Sequence, residues 1–213
     1  VPDLAPELLE AAIRGFEDSR RQESMIPRGR IESDAGELLR RNGQDRRAID
    51  FLRRAVELSP NLYDAQYTLG VVSYQLGHYQ EAMRHLQEAV RCLSWSPDPH
   101  VYMGFAQSAL GNPKGAIEQF RQAREKDARG VRYFHLLGEA LEKAGQVKEA
   151  ERQFVAAAKL NPKRTDAWAS LLGFYTRHRE LRPLADVCSN LELMAPDETA
   201  YREQCASLGL EMP

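Results

Sequence analysis

The 213-residue chain is long enough for one large domain or two small ones, and its 43% apolar and 28% charged residues are typical of ordinary folded proteins. A formal charge of −2 and a pI near 6.3 give no overall positive field, which argues against nucleic acid or an anionic membrane surface as a partner. No uninterrupted apolar run approaches the roughly 18 residues of a spanning helix, so we expect no membrane insertion.

The first predicted element is an amphipathic helix over residues 6–21. Its apolar residues recur at helical spacing and are Leu8, Leu9, Ala12, Ile13 and Phe16. Because this helix lacks the pattern that follows it, we interpret it as a cap over the neighbouring helices, with docking to a partner as the alternative. Residues 19–30 are polar and predict a linker.

Beyond residue 28 the sequence repeats every 34 residues. Two glycine series keep this period: Gly36, Gly70, Gly104, Gly138 and Gly43, Gly77, Gly111, Gly145. Two alanine series do the same: Ala48, Ala82, Ala116, Ala150 and Ala55, Ala89, Ala123, Ala157. Large apolar residues stand between the alanines at Leu52, Leu86, Phe120 and Phe154, and prolines end repeats at Pro60, Pro162 and Pro196. Because the series are independent, the period indicates an internal structural repeat.

Each spacing that recurs in the repeats has a physical cause. Two antiparallel helices packed about 8–10 Å apart leave room only for glycine or alanine at their crossing point, which accounts for the first glycine series and for the alanines. The second glycine series stands where the first helix of each repeat ends, because glycine adopts the left-handed conformation without a Cβ penalty. Pro113, preceded by Asn112 as a helix N-cap, predicts the start of a second helix.

This pattern resembles the tetratricopeptide-repeat (TPR) family, whose repeat has a small residue at position 8, alanines at 20 and 27, a large apolar residue at 24 and proline at 32. The match implies five repeats at 29–62, 63–96, 97–130, 131–164 and 165–198. The fifth is degenerate, with Leu172, Leu184 and Leu191 at the small positions. The resemblance implies an all-α fold: a right-handed superhelical solenoid of antiparallel helix pairs, capped by residues 1–28 and 199–213.

The last predicted element is a helix over residues 197–208, with apolar spacing at Tyr201, Cys205 and Leu208. If it folds back about Pro196, Cys188 and Cys205 lie at similar distances from the turn. A disulfide between them is one alternative, and two buried free thiols, which we favour, are the other.

No residue pattern predicts catalysis. The five histidines have no metal-ligand spacing, the three cysteines have no C-x-x-C pair, and phosphate-binding and nucleophile motifs are absent from the sequence. Most carboxylates are expected on solvated helix faces beside Arg or Lys. We therefore predict a non-enzymatic protein without a cofactor or a metal.

In TPR proteins the first helix of each repeat lines the concave face, mainly through positions 2, 5, 9, 12 and 13. The resemblance implies a central apolar and aromatic patch of Tyr67, Val71, Tyr74, Val101 and Phe105. The charged ends of the groove include Arg40, Arg41, Arg132 and His135. The alternative is that the superhelix or the N-terminal helix covers this patch. Position 6 reads Asp34, Thr68, Tyr102, Leu136 and Ser170, so the carboxylate clamp of chaperone-binding members is not predicted.

The function predicted from these features is a protein-protein interaction scaffold. An apolar anchor of a partner peptide or helix would dock on the patch, with its flanks paired to Arg40, Arg41 and Arg132. The alternative is a structural subunit that self-associates end to end or as a dimer through its terminal helices. We expect a cytoplasmic location or, if a leader was removed before Val1, a periplasmic or secreted one.

Overall fold

The computed structural model describes residues 6–21, 28–194, 203, 205 and 206. Within these residues it contains helices and no strand. The chain divides into two compact units, residues 1–126 (unit 1) and 127–213 (unit 2). Unit 1 contains α1 (Pro6–Arg21), α2 (Arg28–Arg41), α3 (Asp45–Leu58), α4 (Tyr63–Gln75), α5 (Tyr79–Cys92), α6 (Asp98–Ala109) and α7 (Pro113–Lys126). Unit 2 contains α8 (Val131–Lys143), α9 (Val147–Leu160), α10 (Thr165–His178) and α11 (Leu181–Met194).

The helices follow the predicted 34-residue period as packed pairs. In unit 1 the pairs are α2 with α3, α4 with α5 and α6 with α7, and in unit 2 they are α8 with α9 and α10 with α11. This confirms the predicted all-α solenoid of helix pairs. The division into two units was not predicted, since the repeat signature continues unchanged through residues 126 and 127.

The first glycine of each complete repeat lies where the two helices of its pair approach most closely. A Cβ atom added to these glycines would overlap the large apolar residue of the second helix. The gap would be 2.5 Å from Gly36 to Leu52, 2.6 Å from Gly70 to Leu86, 2.5 Å from Gly104 to Phe120 and 3.0 Å from Gly138 to Phe154. The predicted reason for this glycine series is therefore confirmed.

Replacing Gly104 with alanine is expected to lower the free energy of unfolding by about 1–3 kcal/mol, because the new Cβ overpacks the core. The Phe120 ring would have to move, although it already contacts Phe105 at a centroid distance of 5.4 Å. Gly138→Ala is the matched control. Both variants gain about 1 kcal/mol of helix propensity, but the new Cβ at position 138 would meet Phe154 at the longer distance of 3.0 Å. Urea unfolding followed by circular dichroism measures both. Equal losses in the two variants would contradict this account.

The second glycine series also behaves as predicted. Gly43, Gly77, Gly111 and Gly145 have φ values of 70°, 81°, 74° and 75°, which end the first helix of each pair in the left-handed region. In the degenerate pair of unit 2 that position is taken by Arg179, with φ 56°. The predicted N-cap of α7 is also present, because the Gly115 amide donates to Asn112 Oδ1 at 3.1 Å.

Helix α1 packs on α2 and α3 as a cap. Leu9 and Ile13 are 2% and 3% exposed and belong to one core cluster with Leu39 and Ile49. Leu8, in contrast, is 60% exposed. This contact confirms the predicted cap and leaves one large apolar side chain of α1 open to solvent.

In unit 2, the degenerate repeat fills its core with larger side chains. Leu172, Leu184 and Leu191 are each at most 1% exposed, so leucine replaces the small residues without losing burial. The predicted C-terminal helix over residues 199–213 lies mostly outside the described residues. Within that range the structure describes residues 203, 205 and 206, which are helical.

A disulfide joins Cys188 of α11 to Cys205, with the Cα atoms 6.1 Å apart. The free-thiol interpretation that we favoured from the sequence was therefore wrong. Sequence spacing placed the two cysteines at similar distances from a turn, but the rotation of each helix, which decides whether the sulfurs meet, is not encoded in spacing. Cys92 is a free thiol.

Of the helices in the described ranges, none combines the length and the apolar character that crossing a membrane requires.

Candidate functional site

The first helices of three successive pairs, α2, α4 and α6, line a cleft of about 430 Å³ in unit 1. The lining is aromatic and charged rather than aliphatic. Helix α2 contributes Arg30, Ser33, Asp34, Glu37, Arg40 and Arg41; α4 contributes Tyr63, Asp64, Tyr67, Thr68 and Val71; and α6 contributes Asp98 and Tyr102.

Tyr63, Tyr67 and Tyr102 line the cleft, and their rings continue into those of Tyr74 and Phe105, which are not among its lining residues; we call these five rings the aromatic wall. Tyr63 and Tyr67 stack with their planes 2° apart and their centroids 5.7 Å apart. Tyr102 meets Tyr67, Tyr74 and Phe105 edge to face at 5.9, 6.0 and 6.1 Å. Each such pair adds about 0.5–1.5 kcal/mol beyond the burial of its area, so the rings hold one another in place.

The aromatic wall rests on the hydrophobic core of unit 1. Tyr67, Tyr74 and Tyr102 pack against a buried cluster that includes Leu86 and Met103, and all three residues are partly buried. Because its rings are already held in place, such a surface loses less entropy when a ligand binds. Its partial exposure leaves it accessible to that ligand.

The predicted aromatic residues lie together in the structure, whereas the two predicted aliphatic residues are buried. Tyr67, Tyr74 and Phe105 all belong to the aromatic wall. Val71 and Val101 are only 2% and 0% exposed, because neighbouring helices cover them. Val101 therefore presents no surface to a ligand, and Val71 contributes only a small area to the lining of the cleft.

Two members of the aromatic wall were missed in the sequence. Tyr102 contacts three other rings, yet it stands at position 6 of its repeat, which we considered only for a carboxylate clamp. Tyr63 stands at the first position of its repeat, which we did not consider. The available signal was the run of aromatic residues at the starts of α4 and α6, at positions 63, 67 and 102.

We call Glu37, Arg40 and Arg41 the basic end of the cleft. Arg40 Nε donates to Glu37 Oε2 at 2.7 Å, and Arg41 Nε donates to Glu37 Oε1 at 2.7 Å. Burial raises the pKa of the Glu37 carboxyl, but hydrogen bonds from both guanidinium groups hold this pKa below its usual range. From the sequence we predicted that both arginines are cations available to a partner. They share one carboxylate instead, so the cluster carries one excess positive charge.

We call Asp34, Asp64 and Asp98 the acidic end. Arg30 bridges two of them, with Nε 3.2 Å from Asp34 Oδ1 and Nη1 2.7 Å from Asp64 Oδ2. Asp98 opens α6 and also lines the cleft. At this end, one guanidinium group is therefore shared by the carboxylates of Asp34 and Asp64.

The two stacked tyrosines lie beside this acidic end. Burial raises the pKa of the Tyr63 hydroxyl, a hydrogen bond with Ser96 lowers it, and the Asp98 and Asp64 carboxylates raise it again. Burial also raises the pKa of Tyr67, with further contributions from Tyr102 and Asp98. Both hydroxyls therefore stay protonated at neutral pH and can donate hydrogen bonds.

Two of the predicted binding residues, Arg132 and His135, lie in unit 2. They line a cleft of about 380 Å³ there, together with Arg164, Asp166 and Ser170. His135 Nε2 is 3.3 Å from Glu139 Oε1, and its ring meets Phe154 edge to face at a centroid distance of 5.8 Å. Of the nine predicted residues, four line the unit 1 cleft and two line the unit 2 cleft, whereas Tyr74, Val101 and Phe105 are among the lining residues of neither.

A search of the described residues found no group of three or more His, Cys, Asp or Glu residues arranged to hold a metal ion. The unit 1 cleft combines tyrosine rings with two clusters of charged side chains.

Comparison with known proteins places this geometry in context. A family model described as "FAT domain" matches residues 29–182. No protein with a curated description matches the sequence significantly.

Similar solved structures are TPR proteins. YrrB, described as a TPR protein with an unusual peptide-binding site, is 22% identical, with a TM-score of 0.62 over 92% of this chain and 97% of that one. The C-terminal part of a TPR repeat-containing protein from Cytophaga hutchinsonii is 16% identical, with a TM-score of 0.74 over 96% of this chain and 82% of that one. MamA from Desulfovibrio magneticus RS-1 is 16% identical, with a TM-score of 0.68 over 82% of this chain and 99% of that one. At these identities the likeness shows the fold.

Proposed function

Because the chain belongs to the FAT-domain family and has the fold of TPR proteins, we propose that it is a non-enzymatic interaction scaffold that holds an extended segment of another polypeptide in the unit 1 cleft. The observation that carries this proposal is the aromatic wall, whose rings are partly buried, contact one another and line the cleft through Tyr63, Tyr67 and Tyr102. YrrB, which shares the fold, is described as having a peptide-binding site, and this supports the proposal by analogy.

The aromatic wall suits an apolar or aromatic side chain of the bound segment. Aromatic residues at the centre of an interface commonly contribute most of its binding energy, and truncating one of them costs about 2 kcal/mol or more. Tyr67 and Tyr102 also line the cleft, and their hydroxyl groups can donate to main-chain carbonyl groups of the segment. An extended peptide presents such carbonyl groups at regular intervals, so it uses both properties of the aromatic wall.

A catalytic role has less support from the cleft. Its arginines are hydrogen-bonded to neighbouring carboxylates, and the Arg30–Asp64 and Arg41–Glu37 bonds are exposed to water, which weakens the electrostatic stabilisation of a transition state.

Replacing Tyr102 with alanine is expected to weaken peptide binding by about 30-fold, which corresponds to about 2 kcal/mol. The ligands would be 12-residue peptides selected on the purified chain from a phage-displayed random library, with affinities measured by fluorescence polarisation. Trp95→Ala is the matched control, because Trp95 is a 69% exposed aromatic residue of unit 1 that does not line the cleft. Thermal unfolding of both variants checks that each remains folded.

Two results would overturn the proposal. Selection could yield no peptide that binds, or the selected peptides could bind the folded Tyr102→Ala variant as tightly as the unsubstituted chain. The alternative from the sequence, self-association through the terminal helices, would use the exposed Leu8 of α1. It would appear in light scattering as a molecular mass that rises with concentration.

A further inference from the structure

The two charged clusters of the unit 1 cleft lie at different levels of the same helix. Arg30 and Asp34 belong to the first half of α2, whereas Arg40 and Arg41 form its last turn. At 1.5 Å per residue, Arg30 and Arg40 are about 15 Å apart along the helix axis. The salt bridge from Arg30 to Asp64 places the start of α4 beside the first of these levels.

The clusters have opposite charge imbalances. At the acidic end, the carboxylates of Asp34 and Asp64 share one guanidinium group, and at the basic end two guanidinium groups share one carboxylate. Their internal pairing reduces each local charge but cancels neither. The cleft is therefore electrostatically directional, and Tyr67 and Tyr102 line it together with both clusters.

The middle of the cleft is coupled to both clusters. Asp98 raises the pKa of Tyr67, and Tyr67 and Tyr102 in turn raise that of Arg40, so these groups are within electrostatic range of one another. A segment that places a side chain on Tyr67 and Tyr102 has neighbouring residues within reach of each cluster.

The acidic end also suits one type of cation. The stacked rings of Tyr63 and Tyr67 lie next to Asp64 and Asp98, and a planar guanidinium group can stack on an aromatic ring while it donates to a carboxylate. Lysine can satisfy the charge but lacks the planar stacking. An arginine is thus the better fit.

An extended chain rises about 3.3 Å per residue, so 15 Å corresponds to about five residues. We propose that the unit 1 cleft selects segments of mixed charge, with an arginine held at the acidic end, an acidic residue held at the basic end about five positions away, and an apolar or aromatic residue between them on the aromatic wall. This inference rests on the proposed function and names the class of peptide that the same cleft takes.

The test uses four fluorescein-labelled ten-residue peptides with a central Leu-Tyr pair. They carry arginine or glutamate at two positions five residues apart, in the four possible combinations. We expect at least one mixed-charge peptide to bind about tenfold more tightly than both like-charged peptides, and this preference to fall as salt is raised.

Charge reversal in the protein should redirect the preference. Arg41→Glu is expected to shift it toward the peptide with two arginines, and Asp98→Lys toward the peptide with two glutamates. Arg91→Glu is the matched control, since Arg91 is an exposed arginine of unit 1 outside the cleft and should leave the preference unchanged.

The outcomes separate this inference from the proposed function. If peptides bind with affinities that are independent of their flanking charges, or if reversal has no effect, the charge selection is wrong and the peptide-binding role stands. If library peptides bind but carry no opposite-charge pair, the same conclusion holds. If neither the four peptides nor any library peptide binds, both proposals are overturned.

Discussion

Replacing Phe154 with alanine is expected to lower the free energy of unfolding by about 3–5 kcal/mol. Phe154 is 1% exposed and fills the crossing of α8 and α9, with its ring 3.0 Å from the position of a Cβ on Gly138. It also contacts the rings of His135 and Phe174 at centroid distances of 5.8 and 5.2 Å. Alanine would leave a cavity bounded by α8, α9 and α10, because a glycine opposite the ring cannot fill it.

Phe154→Leu is the matched control for this variant. Leucine occupies the same repeat position at Leu52 and Leu86, where it is fully buried. The leucine variant should therefore lose less than half as much stability as the alanine variant. Urea denaturation followed by circular dichroism measures both, and similar losses would show that the ring contacts, rather than the filled volume, are what matter.

Replacing Cys188 with serine is expected to lower the free energy of unfolding by about 3 kcal/mol, because the disulfide closes a loop between residues 17 apart and restricts the unfolded chain. Cys205 is fully buried, so loss of the bond also leaves an unpaired buried group in unit 2. Thermal unfolding of the oxidised protein, with and without a thiol reductant, measures the effect in the unsubstituted chain.

Cys92→Ser is the control, because Cys92 is a free thiol whose replacement leaves the disulfide intact. The Cys188→Ser variant should also be insensitive to reductant. The disulfide account fails if mass mapping finds both Cys188 and Cys205 alkylated in protein that was denatured without reduction.

The aromatic wall shows how far sequence reasoning extended into the site. The resemblance to TPR proteins predicted that the first helix of each pair, including α2, α4 and α6, lines the binding surface. It named Tyr67, Tyr74 and Phe105 as aromatic residues of that surface. It could not tell that Val101 is covered or that Tyr102 joins the rings. Which side of a helix is covered depends on the crossing angles of its neighbours, and these angles are not part of a one-dimensional repeat.

The charged residues of the cleft show a second limit. In the sequence, Arg40 and Arg41 read as two cations available to a partner, although Glu37 stands three and four positions before them. Pairs at this spacing face each other on a helix surface, so the internal ion pairs could have been predicted. The bridge from Arg30 to Asp64 could not have been, because it joins two repeats and depends on how α2 and α4 pack.

The sequence by itself determined the helix pairs, their ends and the crossing points, because glycine and alanine recur in the first four pairs where two backbones approach or the first helix ends, and these demands are local. Only the tertiary structure decided the division into two units, the Cys188–Cys205 bond and the arrangement of rings and charges in the cleft. Each of these depends on the relative rotation of helices that are distant in sequence. That rotation is set by the packing of many side chains together.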